Sequence, residues 1–312
     1  MLPKMPPTSG EFGFLFAPPY RIQGVSVAGE QTCVQIPELD VAFDIGLCPR
    51  TALASPYVAL SHGHMDHIGA LAYYFSQRIF QGMDTGKCVC HANIAPAIAG
   101  MMRGYVELED HPTPHEIIGL ADGEQIEIKN NTFLRALEVS HTVPSLGYAV
   151  IERRSKLREE YRDKPQSELK DLKNRGVEIT QTLEIPLVAY TGDTELGPFL
   201  FRDEFAKARI VICECTFFEA EHRSRAKVGK HLHVDDLRML LGVWEAPMVV
   251  LVHVSRRTNL AVAREEIRNM VGEARAERVH FLMDHRANRA RYEKQRVDAG
   301  EAPTPRPVRA AR

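Results

Sequence analysis

The chain has 312 residues, a formal net charge of −2 and 44% apolar residues, values that suit a globular α/β protein with a sizeable core. No apolar run reaches the roughly 18–20 residues of a membrane span, and the N-terminus lacks the apolar stretch and small-residue cleavage site of an export signal. The near balance of charge excludes a whole-surface attraction to nucleic acid, so any affinity for RNA has to come from local patches.

Residues 1–20 are rich in Pro and Gly and read as a loose lead-in. From 21 to 60, β-type segments (RIQGVSVAG, TCVQI, VAFDIG, YVAL) alternate with turns. Residues 66–80 carry apolar side chains at helical spacing, with Asp66 in the first turn, where an acid suits the helix dipole. A strand–helix–strand series runs from 87 to 150. Residues 152–176 interleave basic and acidic residues with almost nothing apolar, so they should stand out in solvent. The α/β pattern resumes at 186 and continues to about 284. Core pattern on both sides of the charged stretch predicts one domain over 21–290, with a projecting arm at 152–180. Residues 291–312 read as a partly disordered tail.

Six cysteines, Cys33, Cys48, Cys88, Cys90, Cys213 and Cys215, suit buried thiols in a reducing cytoplasm. The i, i+2 spacing of the last two pairs puts each pair on one strand face and lacks the two-residue gap of a zinc knuckle.

The densest local signal is Ser61-His62-Gly63-His64-Met65-Asp66-His67. Imidazole and carboxylate together suit Zn²⁺. In α/β sheets functional residues collect just past the carboxyl ends of strands. Five apolar runs end in a chelating residue: YVALS at His62, LRALEVS at His141, LVAYTG at Asp193, RIVIC at Glu214 and MVVLV at His253. A lone His after a strand is usually an ordinary polar residue, but the clustered set points to a metal centre. His91, His111, His115, His222, His280 and His285 have no such context.

His62-x-His64-x-Asp66-His67 resembles the signature of the metallo-β-lactamase superfamily. FDIGLCP at 43–49, HTVPSLGY at 141–148, YTGDTE at 190–195, ECTF at 214–217 and HVSRR at 253–257 resemble the short form of tRNase Z, in order over residues 20–260. The resemblance implies a four-layer αβ/βα sandwich with two zinc ions between the sheets. It assigns His62, His64 and His141 to one ion, Asp66, His67 and His253 to the other, and Asp193 to both. It also implies that Asp66 takes a proton from the attacking water. His231, which stands 22 residues before His253, would protonate the leaving ribose oxygen while Glu214 orients it. The chain departs from the family's pattern at Val254, Thr258 and His231-Leu232-His233, and His233 is given no role.

The activity implied is zinc-dependent removal of the 3′ trailer of precursor tRNA by a cytoplasmic homodimer. Arg153, Arg154, Lys156, Arg158 and Arg162 of the arm would contact tRNA phosphates, as would Arg257. The competing expectation is another hydrolase on the same fold, a small-molecule phosphodiesterase or lactonase, because a fold does not fix its substrate.

Overall fold

A computed structural model describes residues 2–5 and 12–301. The first seven strands are β1 (Gly13–Ala17), β2 (Tyr20–Val27), β3 (Gln31–Ile36), β4 (Val41–Phe43), β5 (Tyr57–Ala59), β6 (Gly86–His91) and β7 (His115–Leu120). They form one sheet in chain order, antiparallel through β4 and parallel from β4 to β7. Helices α1 (Met65–Ile68), α2 (Leu71–Phe80) and α3 (Ala95–Glu109) fall within this half. The helix expected over 66–80 is therefore two, broken at Gly69-Ala70.

The second half holds β8 (Gln125–Lys129), β9 (Thr132–Val139), β10 (Ser145–Leu157), β11 (Thr180–Tyr190), β12 (Ile210–Glu214), β13 (Met248–Val252) and β14 (Val279–Phe281). Its sheet is antiparallel from β8 to β11 and parallel from β11 to β14. Its helices are α4 (Gln166–Asn174), α5 (Asp203–Ala206), α6 (Arg223–Gly229), α7 (Val234–Val243), α8 (Leu260–Val271), α9 (Glu273–Ala276) and α10 (His285–Asp298).

Strand periodicity sorts the side chains into layers. Ile210 and Ile212 face the space between the sheets, against Phe43, Ala59 and Tyr148. Val211 and Cys213, one residue out of step, face the helical layer with Leu237, Leu240 and Trp244. Across the molecule Val89 points between the sheets, while Cys88 and Cys90 pack with Leu71, Tyr74 and Met102. Helix, sheet, sheet, helix is the four-layer αβ/βα arrangement of the metallo-β-lactamase type. All six thiols are free, and the two i, i+2 pairs are plain packing.

Two sequence expectations need correction. Residues 13–17 are not a loose lead-in. They form β1, whose Phe14 and Phe16 are buried against Tyr292 of α10. The Pro and Gly around them mask a short apolar run. For the same reason the stretch from 291 to 298 is helix, anchored by that Tyr292 ring. The lead-in at 6–11 and the tail from 302 onward lie outside the described residues.

The charged stretch is continuous with the sheet. Strand β10 pairs with β9 only as far as Glu152, and from Arg153 to Leu157 it pairs with β11 alone. No residue from 152 to 186 is buried. Five of its cations are ion-paired within the stretch: Arg153 to Glu184, Arg154 to Glu152, Arg158 to Glu178, Arg162 to Glu159 and Lys164 to Glu168. Lys156, Lys170, Lys173 and Arg175 have no ion pair among the described residues.

Candidate metal centre

The chelating residues meet at the strand ends along one rim between the sheets. His62 follows β5 of the first sheet. His141, Asp193, Glu214 and His253 follow or end β9, β11, β12 and β13 of the second. Two sheet-to-sheet hydrogen bonds fix the seam: Leu146 N donates to Ser61 O at 2.9 Å, and the Tyr148 hydroxyl donates to Leu60 O at 2.7 Å. Gly192 (φ 60°), just before Asp193, cannot carry a side chain, since a Cβ there would lie 2.7 Å from Ser61 Cβ. His253 is itself left-handed, at φ 53°. That backbone costs on the order of 1–3 kcal/mol. It is held by Ser26 Oγ, which accepts from His253 N at 2.8 Å, and by Thr216 Oγ1, which donates to His253 O at 3.0 Å.

His62 Nε2, His64 Nδ1 and His141 Nε2 converge, with 2.9 Å between the first two and 3.4 Å between the last two. On the other side His67 Nε2 and His253 Nε2 lie 3.5 and 3.4 Å from Asp66 Oδ2. Asp193 Oδ2 stands between the groups, 3.2 Å from both of these nitrogens and 3.9 Å from His62 Nε2. Among the described residues five sets have donor atoms close enough to share a cation: His62/His64/His141, His62/His67/Asp193, Asp66/His67/His253, His141/Asp193/His231 and Glu214/His231/His253.

The buried polar atoms test whether a cation belongs there. His67 Nε2 and Asp193 Oδ1 are fully buried with no hydrogen-bond partner, a state that costs several kcal/mol by order of magnitude for charged groups. A ligand that accepts lone pairs removes that cost, so the residues fit a metal. The outward ring nitrogens are already engaged, which fixes the inward ones. His67 Nδ1 lies 2.8 Å from Asp44 Oδ2, His62 Nδ1 2.9 Å from Ser61 Oγ, His141 Nδ1 3.1 Å from Lys230 O and His253 Nδ1 2.9 Å from Thr216 Oγ1.

Burial disfavours a charged His67 ring, but Asp193 and Asp44 outweigh it and raise it well above the usual range, so this ring must lose a proton to bind a metal. The other shifted donors are already in the ligating form. Burial pushes His62 down to about 2 and lowers His141 too, so both are neutral donors at neutral pH. Burial would raise the carboxyls of Asp66 and Asp193, but the neighbouring His253 and His67 outweigh it and hold both far below the usual range.

His231 borders this cluster, stacked on His253 with ring centroids 5.2 Å apart and its Nδ1 4.0 Å from Asp193 Oδ2, but its shortest contact is elsewhere. Its Nδ1 is 2.9 Å from Glu214 Oε1, which also accepts from Thr194 N at 3.0 Å. Burial favours the neutral ring, yet Glu214 prevails and raises His231 to about 9. The ring is therefore a cation at neutral pH that can give up a proton. His233 serves elsewhere. It caps α7, accepting from Asp235 N at 3.2 Å, while its Nε2 meets Glu219 O at 3.1 Å. Arg257 is exposed just after β13.

Sequence reasoning passed over Asp44 and Thr216. Asp44 is fully buried and left-handed (φ 59°). It accepts from Ser61 N at 2.7 Å and from the Tyr190 hydroxyl at 2.5 Å, besides meeting His67. The strand-end rule contained the signal, because the apolar run VAF ends at Asp44. Thr216 had none, for a hydroxyl that joins Glu214 (2.9 Å) to His253 is an ordinary Thr in the sequence.

Asp44→Ala should destabilise the fold by about 3 kcal/mol, since it strands the His67 ring and the Tyr190 hydroxyl. It should also weaken cation affinity by about 10–100-fold. Urea unfolding and metal titration read the two effects, and an unchanged affinity would show that Asp44 only packs.

No family model matches the chain. It is 33% identical to tRNase Z TRZ1 of Arabidopsis thaliana over 245 residues, 76% of this chain and 86% of that protein. It is 32% identical to the chloroplastic tRNase Z TRZ2 of the same plant over 254 residues, 80% of this chain and 71% of the relative. The nuclear ribonuclease Z of Triticum aestivum is 34% identical over 164 residues, 53% and 93% of the two chains. Among solved structures, the metallo-β-lactamase fold protein YhfI from Bacillus subtilis superposes with TM-score 0.57 at 14% identity, covering 86% of this chain and 95% of that one. The short form of human tRNase Z superposes with TM-score 0.52 at 14% identity, over the same shares. Structural likeness at that identity supports the fold alone, whereas one-third identity across most of both sequences shows that the chain belongs to the tRNase Z family.

Proposed function

We propose that this chain is a metal-dependent endoribonuclease that removes the 3′ trailer of precursor tRNA by phosphodiester hydrolysis. One observation carries the reading: in a member of the tRNase Z family, a cluster of seven inward donors adjoins a separate imidazole, His231, held by its own carboxylate. The reading takes residues 21–290 as one catalytic domain, because both sheets contribute donors.

The resident metal is proposed to be a pair of Zn²⁺ ions, since nitrogen and carboxylate donors suit that ion. His62, His64 and His141 would hold one, and Asp66, His67 and His253 the other, with Asp193 shared between them. Bound there, two divalent cations acidify a water and offset charge growing on the phosphoryl oxygens. Asp66, whose side chain is 16% exposed at the mouth of the site, accepts the water's proton. The poor leaving group, a ribose 3′ oxygen, takes a proton from His231, and Glu214 keeps that ring oriented and charged.

The stretch at 152–180 is proposed as the arm that meets tRNA. Its two-stranded base extends the sheet past the end of the β9 pairing, and the cations of α4 and Lys156 are available to phosphate. Arg153, Arg154, Arg158 and Arg162 can join only by exchanging a carboxylate partner, an exchange that costs little at exposed pairs. A homodimer belongs to the same reading. Exposed Tyr73, Phe80 and Leu108 on α2 and α3 give it an apolar surface to bury. Six free thiols suit a cytoplasmic site of action, and no helix among the described residues is long and apolar enough to cross a membrane.

Purified protein should cut a 3′-extended tRNA once, leaving a 3′ hydroxyl on the tRNA, and a chelator should stop the reaction until Zn²⁺ is restored. End mapping and metal analysis check both points, and cleavage that survives complete metal removal would sink the reading. His231→Ala should lower kcat by about 10²–10⁴-fold with metal content unchanged; loss of metal instead would make His231 a ligand. Lys156→Glu combined with Lys173→Glu should raise KM for precursor tRNA roughly threefold to tenfold and spare an aryl phosphodiester. Equal losses on both substrates would make the arm structural.

A further inference from the structure

A cavity of about 610 Å³ opens beside the metal centre and shares His141 with it. Asp122 lies on its wall in the turn between β7 and β8. Glu138 comes from the end of β9, and Phe199 and Arg202 come from the segment before α5. A second cavity, of about 490 Å³, lies on the other flank and is lined by His231, Arg223 and Lys227 but not by His141. Beside His231 the wall mixes the bases Arg223 and Lys227 with the acids Glu195 and Asp236, and Arg223 is paired to Asp235 at 2.7 Å. Beside His141 two carboxylates face one guanidinium, and that guanidinium is committed to Asp122 at 2.6 Å and Glu204 at 3.5 Å.

The chemistry of the cut says what lies on each side. Water oxygen bonds to phosphorus as the bond from phosphorus to the ribose 3′ oxygen breaks. One water proton goes to Asp66, and the departing 3′ oxygen takes the His231 proton. The phosphate stays on the 5′ oxygen of the trailer. The tRNA end that leaves therefore sits on the His231 flank, and the first trailer nucleotide sits across the centre, on the His141 flank.

We propose that the His141-flank cavity is the seat of that first trailer nucleotide, with its base against the Phe199 ring and its amino-bearing edge turned to Glu138 and Asp122. The assignment rests on the tRNA-trailer reading above. A phosphate is excluded from the cavity by its carboxylates, whereas a base brings N–H donors to them. The Glu138 side chain is exposed and has no hydrogen-bond partner among the described residues, so its carboxylate is open to a ligand. Asp122 is already fixed, accepting from Glu138 N at 2.8 Å and from Arg202. The Phe199 ring is half-buried, and an aromatic face of that kind accepts any base. Selectivity then comes from the edge. Guanine offers neighbouring N–H groups that pair with one carboxylate, while uracil offers a single N–H flanked by carbonyls that a carboxylate repels.

Two precursors that differ only in the first trailer base, guanine or uracil, test the assignment by kcat/KM. The wild type should favour guanine by about fivefold, and Glu138→Gln should erase most of that preference. Phe199→Ala should lower kcat/KM on both precursors by about tenfold. Phe199→Leu, which keeps bulk without the ring face, should lose nearly as much while melting within a few degrees of the wild type. Equal cutting of the two precursors by the wild type, or a Phe199→Leu enzyme as fast as the wild type, overturns the assignment and leaves the tRNA reading intact. A wild type that cuts neither precursor overturns both.

Discussion

Every imidazole that points into the centre from a buried position is gripped from behind. Asp44 meets His67, Ser61 meets His62, Lys230 carbonyl oxygen meets His141, and Thr216 meets His253. A ring with one nitrogen engaged has little freedom left, so the other nitrogen is aimed before any ligand arrives. The crowding of four rings and two carboxylates within a few ångströms is tolerable only because these outer partners satisfy half of each ring.

The same principle sets the charge of each ring. His231 faces Glu214, whose carboxylate outweighs burial and raises it to about 9, as Asp193 and Asp44 raise His67. His62, backed by Ser61 and surrounded by other rings, falls to about 2. Identical side chains in one site thus hold opposite charge states, and their neighbours alone decide which.

Much of this was legible in the sequence because strand ends carry a strong signal. Apolar runs that stop at His62, His141, Asp193, Glu214 and His253 mark both the sheets and the rim. What stayed hidden was hidden for physical reasons. Asp44 follows a three-residue strand, too short for its periodicity to register. β1 is a five-residue apolar run set among Pro and Gly, and α10 is amphipathic only around Tyr292. Thr216 and His233 act through one hydroxyl and one ring nitrogen whose partners are distant in the chain or set by a helix start, and no spacing announces them.

The bonds that cross from β10 to the end of β5, Leu146 N to Ser61 O and the Tyr148 hydroxyl to Leu60 O, join the halves of the molecule without help from any ligand. Strand β5 therefore cannot slip by one residue, a movement that would turn His62 to the wrong face. Neither bond uses a donor atom of the candidate centre, so the register that aims His62 is set by backbone pairing and one buried phenol rather than by the chelating side chains themselves.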